Sequence, residues 1–459
     1  MAQPGDEPYK SQSLMMNSEG QRNAAQAGEG RAARLPKALT VLLAAMASAY
    51  LLQIATPLRV DHDSIEYLTV AASIADGRGF MLNGAPAFVP YGYPLLVAGL
   101  EQLGVAASWC FVLLNCLFLG LGLTCAFRVL KHAYRLQSRM VTVCMIASLS
   151  SFVLVKHVTR PATDCIFFGL FFLSLYLLVR VEEGAWFTSN LLLALLTIFV
   201  AINFRRVGIA LVPALLYALR SKALKQPALA NLVSRFRYAL IGLSIIVLII
   251  VAAALFRTRQ FQGALDAFDE NGGAKSLLLI LQYRITELGE LVLNLPATRL
   301  SRLSPFLFIL FGPLLVMMIA KSLHRHRHCP TVTDIALLAY IGTLFLWPFY
   351  DPRFWMPCIP ILAAIACSEL WQPASVTAGR RIAQGYFGWL ILTGLAALAF
   401  TTRITFSGSN FANLYGDRTL QPSYEYAFKG RAEGKVIDEA VAVIKRYGGP
   451  RNPSPAATE

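Results

Sequence analysis

The sequence is short of charge. Asp, Glu, Lys and Arg make up only 15% of its 459 residues, against roughly a quarter in soluble proteins, and the deficit is deeper on the acidic side, with 26 acids to 41 bases. A chain so poor in charge and 56% hydrophobic is excluded from the ordinary soluble enzymes. It also lacks paired cysteines. The eight follow no C-x-x-C spacing, and Cys110, Cys116, Cys125, Cys144, Cys165, Cys358 and Cys367 lie inside apolar segments, with Cys329 in a basic loop. That excludes a disulfide framework or a zinc knuckle and leaves small buried hydrophobes. No dinucleotide fingerprint is present, since Gly77-x-Gly79 lacks the third glycine and the strand–helix order. The first 36 residues hold no apolar signal core; polar and rich in Gly, Ala and Gln, they read as a disordered cytoplasmic tail.

What the chain does have is long apolar runs. A helix needs about 20 mostly apolar residues to cross a bilayer, and on that rule eleven spans are expected. They lie near 37–56, 107–130, 140–155, 163–181, two within 191–219 divided at Asn203-Phe204-Arg205-Arg206, then 238–256, 303–320, 334–349, 354–370 and 382–401. The expected fold is an all-α polytopic membrane domain over 37–402, with outer loops at 57–106 and 257–302 and a short outer tail at 403–459. The loops rich in Lys and Arg (128–139, 220–237, 321–327, 380–381) then fall together on the cytoplasmic side, as the positive-inside rule requires, with the amino terminus inside and the carboxyl terminus outside. The formal net charge of +15 is thereby assigned to loops and lipid headgroups, and nucleic acid is excluded as a partner.

The stretch from Arg59 to Leu95 gathers acids directly after the first span. In it, 64–75 carries helical periodicity and stops at Asp76-Gly77-Arg78-Gly79; Tyr93 to Leu103, too short to cross, is placed in the interface. Asp63 and Tyr67, four apart, share a helix face, with Asp61 just before the helix and Glu66 one turn in. Two readings stand side by side: Asp63 as the helix N-cap with Glu66 at the third position, or Asp63 holding a polar substrate at the membrane boundary. Opposite the basic loops, separate turns deliver Lys156, Arg160, Arg205, Arg206 and Arg353 to the face that carries these acids. Each arginine alone reads as an interfacial anchor that snorkels to headgroups; together they suit a phosphate group. Asp164 begins the fourth span, as an orienting residue or as a cap for that helix. His324-Arg325-His326-Arg327-His328-Cys329 is rich in ligand types, but its arginines repel a dication, and no metal is expected there.

The pattern Asp63-x-x-x-Tyr67, followed by a helix ending in Gly77-Arg78-Gly79-Phe80 and then by Gly92-Tyr93-Pro94-Leu95, resembles the first outer loop of the GT-C membrane glycosyltransferases. The resemblance is nearest to bacterial relatives of the dolichyl-phosphate-mannose protein mannosyltransferases and of the lipid A aminoarabinose transferase. Segments 160–178, 202–216 and 351–362 are similar to recurring blocks of that group. The resemblance implies a catalytic aspartate at Asp63 and the following tyrosine at Tyr67, with Ser64 where many members carry a glutamate. It implies a hexosyl- or pentosyltransferase of the bacterial inner membrane. Such an enzyme moves a sugar, with inversion, from a polyprenyl-phosphate donor to a lipid, glycan or protein acceptor on the periplasmic face, without a cofactor. Asp61, Glu66, Tyr67, Tyr93 and Asp164 would bind substrate, and Lys156, Arg160, Arg205, Arg206 and Arg353 the phosphate. Two other classes remain open: a flippase of a lipid-linked saccharide, and a polysaccharide polymerase using the loop at 257–302.

Overall fold

Backbone polar groups in lipid find no water, so an apolar chain must satisfy them within helices. The computed structural model describes residues 37–184, 187–224, 274–297, 304–371, 377–414 and 419–448, and these are helical nearly throughout. Residues 1–44 and 45–459 form separate compact units, the boundary falling inside the first helix; the packing below is that of the second unit.

After α1 (Lys37–Leu52), a loop carries α2 (His62–Ala75), a two-residue hairpin of Met81–Leu82 with Ala85–Pro86, and α3 (Gly92–Gln102). Next come α4 (Ser108–Tyr134), α5 (Ser138–Leu149), α6 (Phe152–His157), α7 (Asp164–Glu183), α8 (Phe187–Phe204) and α9 (Leu211–Leu224). The described chain continues with α10 (Ala274–Leu293), α11 (Ser304–His326), α12 (Val332–Phe345), α13 (Ile359–Trp371) and α14 (Thr377–Thr405), and ends with α15 (Gln421–Lys429) and α16 (Asp438–Tyr447). Among the described residues six helices are long and apolar enough to cross a membrane, at Lys37–Ala55, Ser108–Tyr134, Asp164–Glu183, Phe306–His326, Pro352–Trp371 and Gly379–Thr405. Shorter apolar helices, Ser138–Leu149, Thr188–Phe204 and Val332–Phe345, occupy three further expected spans, and α9 occupies the sixth. The expected seventh span, 238–256, lies outside the described residues, as does 257–273 of the loop after it.

Helix contacts are set by small residues. A Cβ on Gly169 of α7 would stand 2.6 Å from the Phe118 carbonyl of α4, and one on Gly122 of α4 would enter the Phe168 ring. Only glycine lets these two backbones approach so closely. Gly92 does the same at the start of α3, where a Cβ would meet the Phe204 ring at 2.8 Å and the Asn203 carbonyl at 3.0 Å. The hairpin turn, Asn83-Gly84, has φ of 51° and 81°, the type I′ geometry that asparagine and glycine adopt most readily.

Four expectations need correction. The span expected at 140–155 is broken: α5 ends at Leu149 and α6 begins at Phe152. Asn294, at φ 53°, holds the break. Its Nδ2 donates to the carbonyls of Ser150 (2.8 Å) and Leu390 (3.1 Å) and to Thr393 Oγ1 (2.9 Å), and its Oδ1 accepts from the Phe152 amide at 2.8 Å. Second, the cap of α2 is Asp61, not Asp63. Asp61 Oδ1 accepts from the Ser64 amide at 2.9 Å and from Ser64 Oγ at 2.7 Å, while Asp63 sits in the first turn. The reason is tertiary. Tyr424 Oη accepts from the Val60 amide and donates to the Leu58 carbonyl, both at 2.8 Å, and buried Arg59 donates to the Thr401 carbonyl at 3.0 Å. The chain is therefore pinned before residue 61 and cannot turn helical sooner.

Third, the outer loop expected at 257–302 is helical over 274–293. That segment is a twenty-residue helix packed on α11, with Arg284, Glu287 and Glu290 spaced by threes and all buried. Fourth, the short tail expected at 403–459 is folded over 421–447: α15 and α16 pack together and α16 packs on α2, and Arg446 binds Asp76 (2.7 Å) and Glu101 (2.5 Å).

Asn294→Ala strands the Ser150 and Leu390 carbonyls and the Phe152 amide at a buried break. It is expected to cost about 1–3 kcal/mol, read as a lowered unfolding temperature of the detergent-solubilised protein.

Candidate active site

The first turn of α2 faces four other segments: the end of α6 and the turn after it, the start of α7, the turn after α8, and the 3-10 turn Pro352–Cys358 before α13. Each brings charge. Arg160 Nη1 lies 2.5 Å from Asp61 Oδ2, and the turn that carries it is held by Asn115 of α4, whose Nδ2 donates to the carbonyls of Val158 (3.0 Å) and Arg160 (2.7 Å). Arg205 pairs with Asp164, the first residue of α7. Asp164 is 2% exposed and His157 Nδ1 stands 3.8 Å from its other oxygen. It is an ion-pair partner rather than the cap of α7, since the cap position is Thr163 and makes no side-chain bond.

Arg353 is central. Its Nη2 lies 2.5 Å from Asp63 Oδ2, and its Nε 2.6 Å from Asp351 Oδ2. The fields of Asp61 and Asp164 reach it as well. The guanidinium of Arg205 lies 5.0 Å from the Phe354 ring centre and that of Arg353 5.5 Å, so one aromatic ring separates the two arginines and sees both cations. Tyr67, one turn after Asp63, packs its ring 5.7 Å from the ring of buried Tyr93.

Of the residues singled out in the sequence, Asp61, Asp63, Asp164, Arg160, Arg205 and Arg353 thus converge. Lys156 joins them as an exposed cation within the fields of Asp351 and Asp61. Two lie at the margin: Arg206 turns to donate to the Phe88 carbonyl at 2.6 Å, and Glu66 is exposed on the neighbouring side of α2. Four cations (Lys156, Arg160, Arg205, Arg353) face four carboxylates (Asp61, Asp63, Asp164, Asp351), and counting the marginal Arg206 and Glu66 leaves the balance even. Exposure separates the carboxylates. Asp63 is the most open of the four, its side chain 42% exposed against 30% for Asp351, 15% for Asp61 and 2% for Asp164.

Sequence reasoning passed over Asp351, and behind it Arg284, Glu287 and Glu290 of α10. Glu287 accepts from the Asp351 amide at 2.7 Å and from Trp355 Nε1 at 2.7 Å, with Arg284 Nη1 3.0 Å away. It fixes both ends of the turn that presents Arg353. The available signal was the spacing of 284, 287 and 290 on one helical face, and Asp351 standing two residues before Arg353.

Burial dominates the titration here. Burial pushes Glu287 up to about 7, above the pull of Arg284 and of its two hydrogen bonds. Asp351 and Glu290 are raised for the same reason. For Asp61 burial also acts upward, but Arg160 and Ser64 outweigh it and hold the carboxyl well below its usual range. Among the described residues no three His, Cys, Asp or Glu side chains are grouped to hold a metal ion.

No protein-family model and no curated protein matches the chain. Solved structures do. The crystal structure of ArnT from Cupriavidus metallidurans in the apo state shares 13% identity at a TM-score of 0.50, over 89% of this chain and 84% of that one. The two chains share a fold. The crystal structure of ArnT from the same organism bound to undecaprenyl phosphate aligns over the same shares, at 14% identity and a TM-score of 0.49. In this fold the acids of α2 and the cations of the neighbouring turns come together.

Two outcomes follow. Removing one partner of the buried Arg205–Asp164 pair leaves an uncompensated charge, so Arg205→Met is expected to destabilise by about 3–5 kcal/mol, and Arg205→Met with Asp164→Leu to recover most of that; thermal unfolding of the single and double variants checks it. A carboxyl whose pKa is raised on folding contributes most when both states are protonated, and loses that contribution as pH climbs from its unfolded value through its folded one. Stability is therefore expected to fall between about pH 4.5 and 7 by an amount on the order of 3 kcal/mol traceable to Glu287. Glu287→Gln should flatten that decline, and a variant curve parallel to wild type would refute the assignment.

Proposed function

We propose that the protein is a glycosyltransferase of the bacterial inner membrane, moving a sugar from a polyprenyl-phosphate carrier to a lipid, glycan or protein acceptor on the periplasmic face, with inversion at the anomeric carbon. The observation that carries this reading is the half-exposed Asp63 carboxylate set against Arg353 within a cluster of paired acids and arginines. A lone carboxylate could be a cap, but the cap of α2 is Asp61, so Asp63 is left for other work. The fold adds support: ArnT from C. metallidurans, which it resembles, has been crystallised with undecaprenyl phosphate.

In this mechanism Asp63 takes the proton of an acceptor hydroxyl. The freed oxygen attacks the anomeric carbon from the side opposite the phosphate, and the carbon–oxygen bond to the carrier breaks with its electron pair passing to the lipid phosphate. Growing negative charge there is met by cations already held in position, which need little reorganisation. Arg160, Arg205 and Arg353 are held by carboxylates and act as fixed charges, whereas exposed Lys156 is free to move onto the phosphate. Tyr67 and Tyr93 offer a ring surface beside Asp63 against which a sugar can pack. Asp61 and Asp164 act through the arginines they hold, and the termini follow the positive-inside assignment, amino end cytoplasmic and carboxyl end periplasmic.

The test is transfer in membranes from a radiolabelled, cell-derived pool of polyprenyl-phosphate sugars. Asp63→Asn is expected to lower the rate about 100-fold or more, while Asp61→Asn, which can still cap α2, keeps α2 formed. A wild-type rate in Asp63→Asn would remove Asp63 as the base. If wild type transfers from no donor in the pool, the glycosyltransferase reading fails.

A further inference from the structure

On the side of α2 next to Asp63, a pocket of about 230 Å³ opens between the helix and the hairpin, lined by Thr69, Ser73, Arg78, Met81, Asn83 and Gly84. Two of its lining hydroxyls have no protein partner among the described residues. Ser73 is 5% exposed and its hydroxyl makes no hydrogen bond among the described residues; Thr69 Oγ1 is buried and equally without a partner. Helical Ser and Thr usually bond back to the carbonyl four residues earlier, and elsewhere in this protein Thr124, Thr142, Ser148 and Ser150 do so. Thr69 and Ser73 do not, although both carbonyls are available. Thr69 Oγ1, a buried hydroxyl left unpaired, costs on the order of 1–3 kcal/mol.

We propose that this pocket binds the saccharide headgroup of the acceptor, a reading that rests on the proposed glycosyl transfer. Its chemistry suits neutral hydroxyls. Arg78 and Arg446 are offset by Asp76 and Glu101, so no excess positive charge is left to select an anion. Two hydroxyls, the Asn83 amide and the unused guanidinium hydrogens of Arg78 supply mixed donors and acceptors, and Met81 supplies an apolar flank for a ring's C–H face. The Asn83 amide is loosely held, donating to Glu439 at 3.4 Å, and is free to turn to a ligand. Position suits the role too. Glu66, Thr69 and Ser73 follow Asp63 at spacings of three, three and four, along one side of α2, and Thr69 stands six residues, about 9 Å of helix rise, from Asp63. A glycan of two or three rings seated in the pocket would reach along exposed Glu66 to the proposed base.

The test uses the same membrane assay, with saturation measured separately in donor pool and in a lipid-linked glycan extract of the cell envelope. Ser73→Val and Asn83→Gly, the latter chosen because glycine tolerates the left-handed turn, are each expected to raise the half-saturating extract concentration about tenfold, leaving donor saturation and the saturating rate unchanged. An unchanged extract dependence, or a shift in donor saturation instead, overturns the proposal. A second measurement stands apart from activity: Asn83→Cys, in a Cys329→Ser background, is labelled with a membrane-impermeant maleimide. The extract should slow labelling several-fold. Unslowed labelling refutes the pocket even if transfer is confirmed, and slowed labelling without any transfer keeps the saccharide site while the glycosyltransferase reading falls.

Discussion

An ionised side chain at a membrane boundary is tolerated only when a charge of opposite sign and well-aimed hydrogen bonds replace the water it loses. The polar end of this protein is organised by that requirement. Arg353 answers Asp63 and Asp351, Arg205 answers Asp164, and Arg160 answers Asp61. Because Asp61, Asp63 and Asp164 each meet an arginine from another segment, the ion pairs also close the bundle: α2 to the turn after α6, α7 to the turn after α8, and α2 to the turn before α13. The charges of the candidate site and the charges that join the helices are here the same groups.

Support for those pairs extends inward by layers. Asn294 holds the α5–α6 break and thereby the segment that leads to Lys156 and Arg160; Asn115 holds the turn of Arg160; Glu287 holds the turn of Arg353. Each is a polar side chain bonded to backbone, which fixes a turn more tightly than packing alone. From outside, α15 and α16 act on the other end of the same loop, Tyr424 fixing the chain before Asp61 and Arg446 fixing the end of α2 through Asp76. The approach to Asp63 is thus defined from both ends of α2, and the polar pocket beside it lies between that helix and a hairpin steadied by the same clasp.

Most of the site's members are legible in the amino-acid sequence. Asp63, Arg205 and Arg353 stand in short polar breaks between long apolar runs, where a charge has few places to go but the boundary. The cap of α2 is misplaced by sequence reasoning because a local rule, a carboxylate three residues before an acid, fits Asp63 as well as it fits a free reactive group; only Tyr424, more than 350 residues away, shows that the helix starts at His62. Glu287 and Glu290 are invisible as buried groups because a face of regularly spaced charge usually lies in water, and the contacts that bury it come from α11 and the turn at 351–355.

Composition and apolar periodicity were enough to decide that this is an all-helical membrane protein, where most of its helices lie, and that acids and arginines gather at one end, because bilayer thickness and desolvation act on every residue locally. Which carboxylate caps, which pairs and which stays exposed was decided by tertiary structure. Those roles depend on distances of a few ångströms between segments far apart in the chain, where Coulomb attraction is strong only in contact, and no local pattern encodes which arginine arrives.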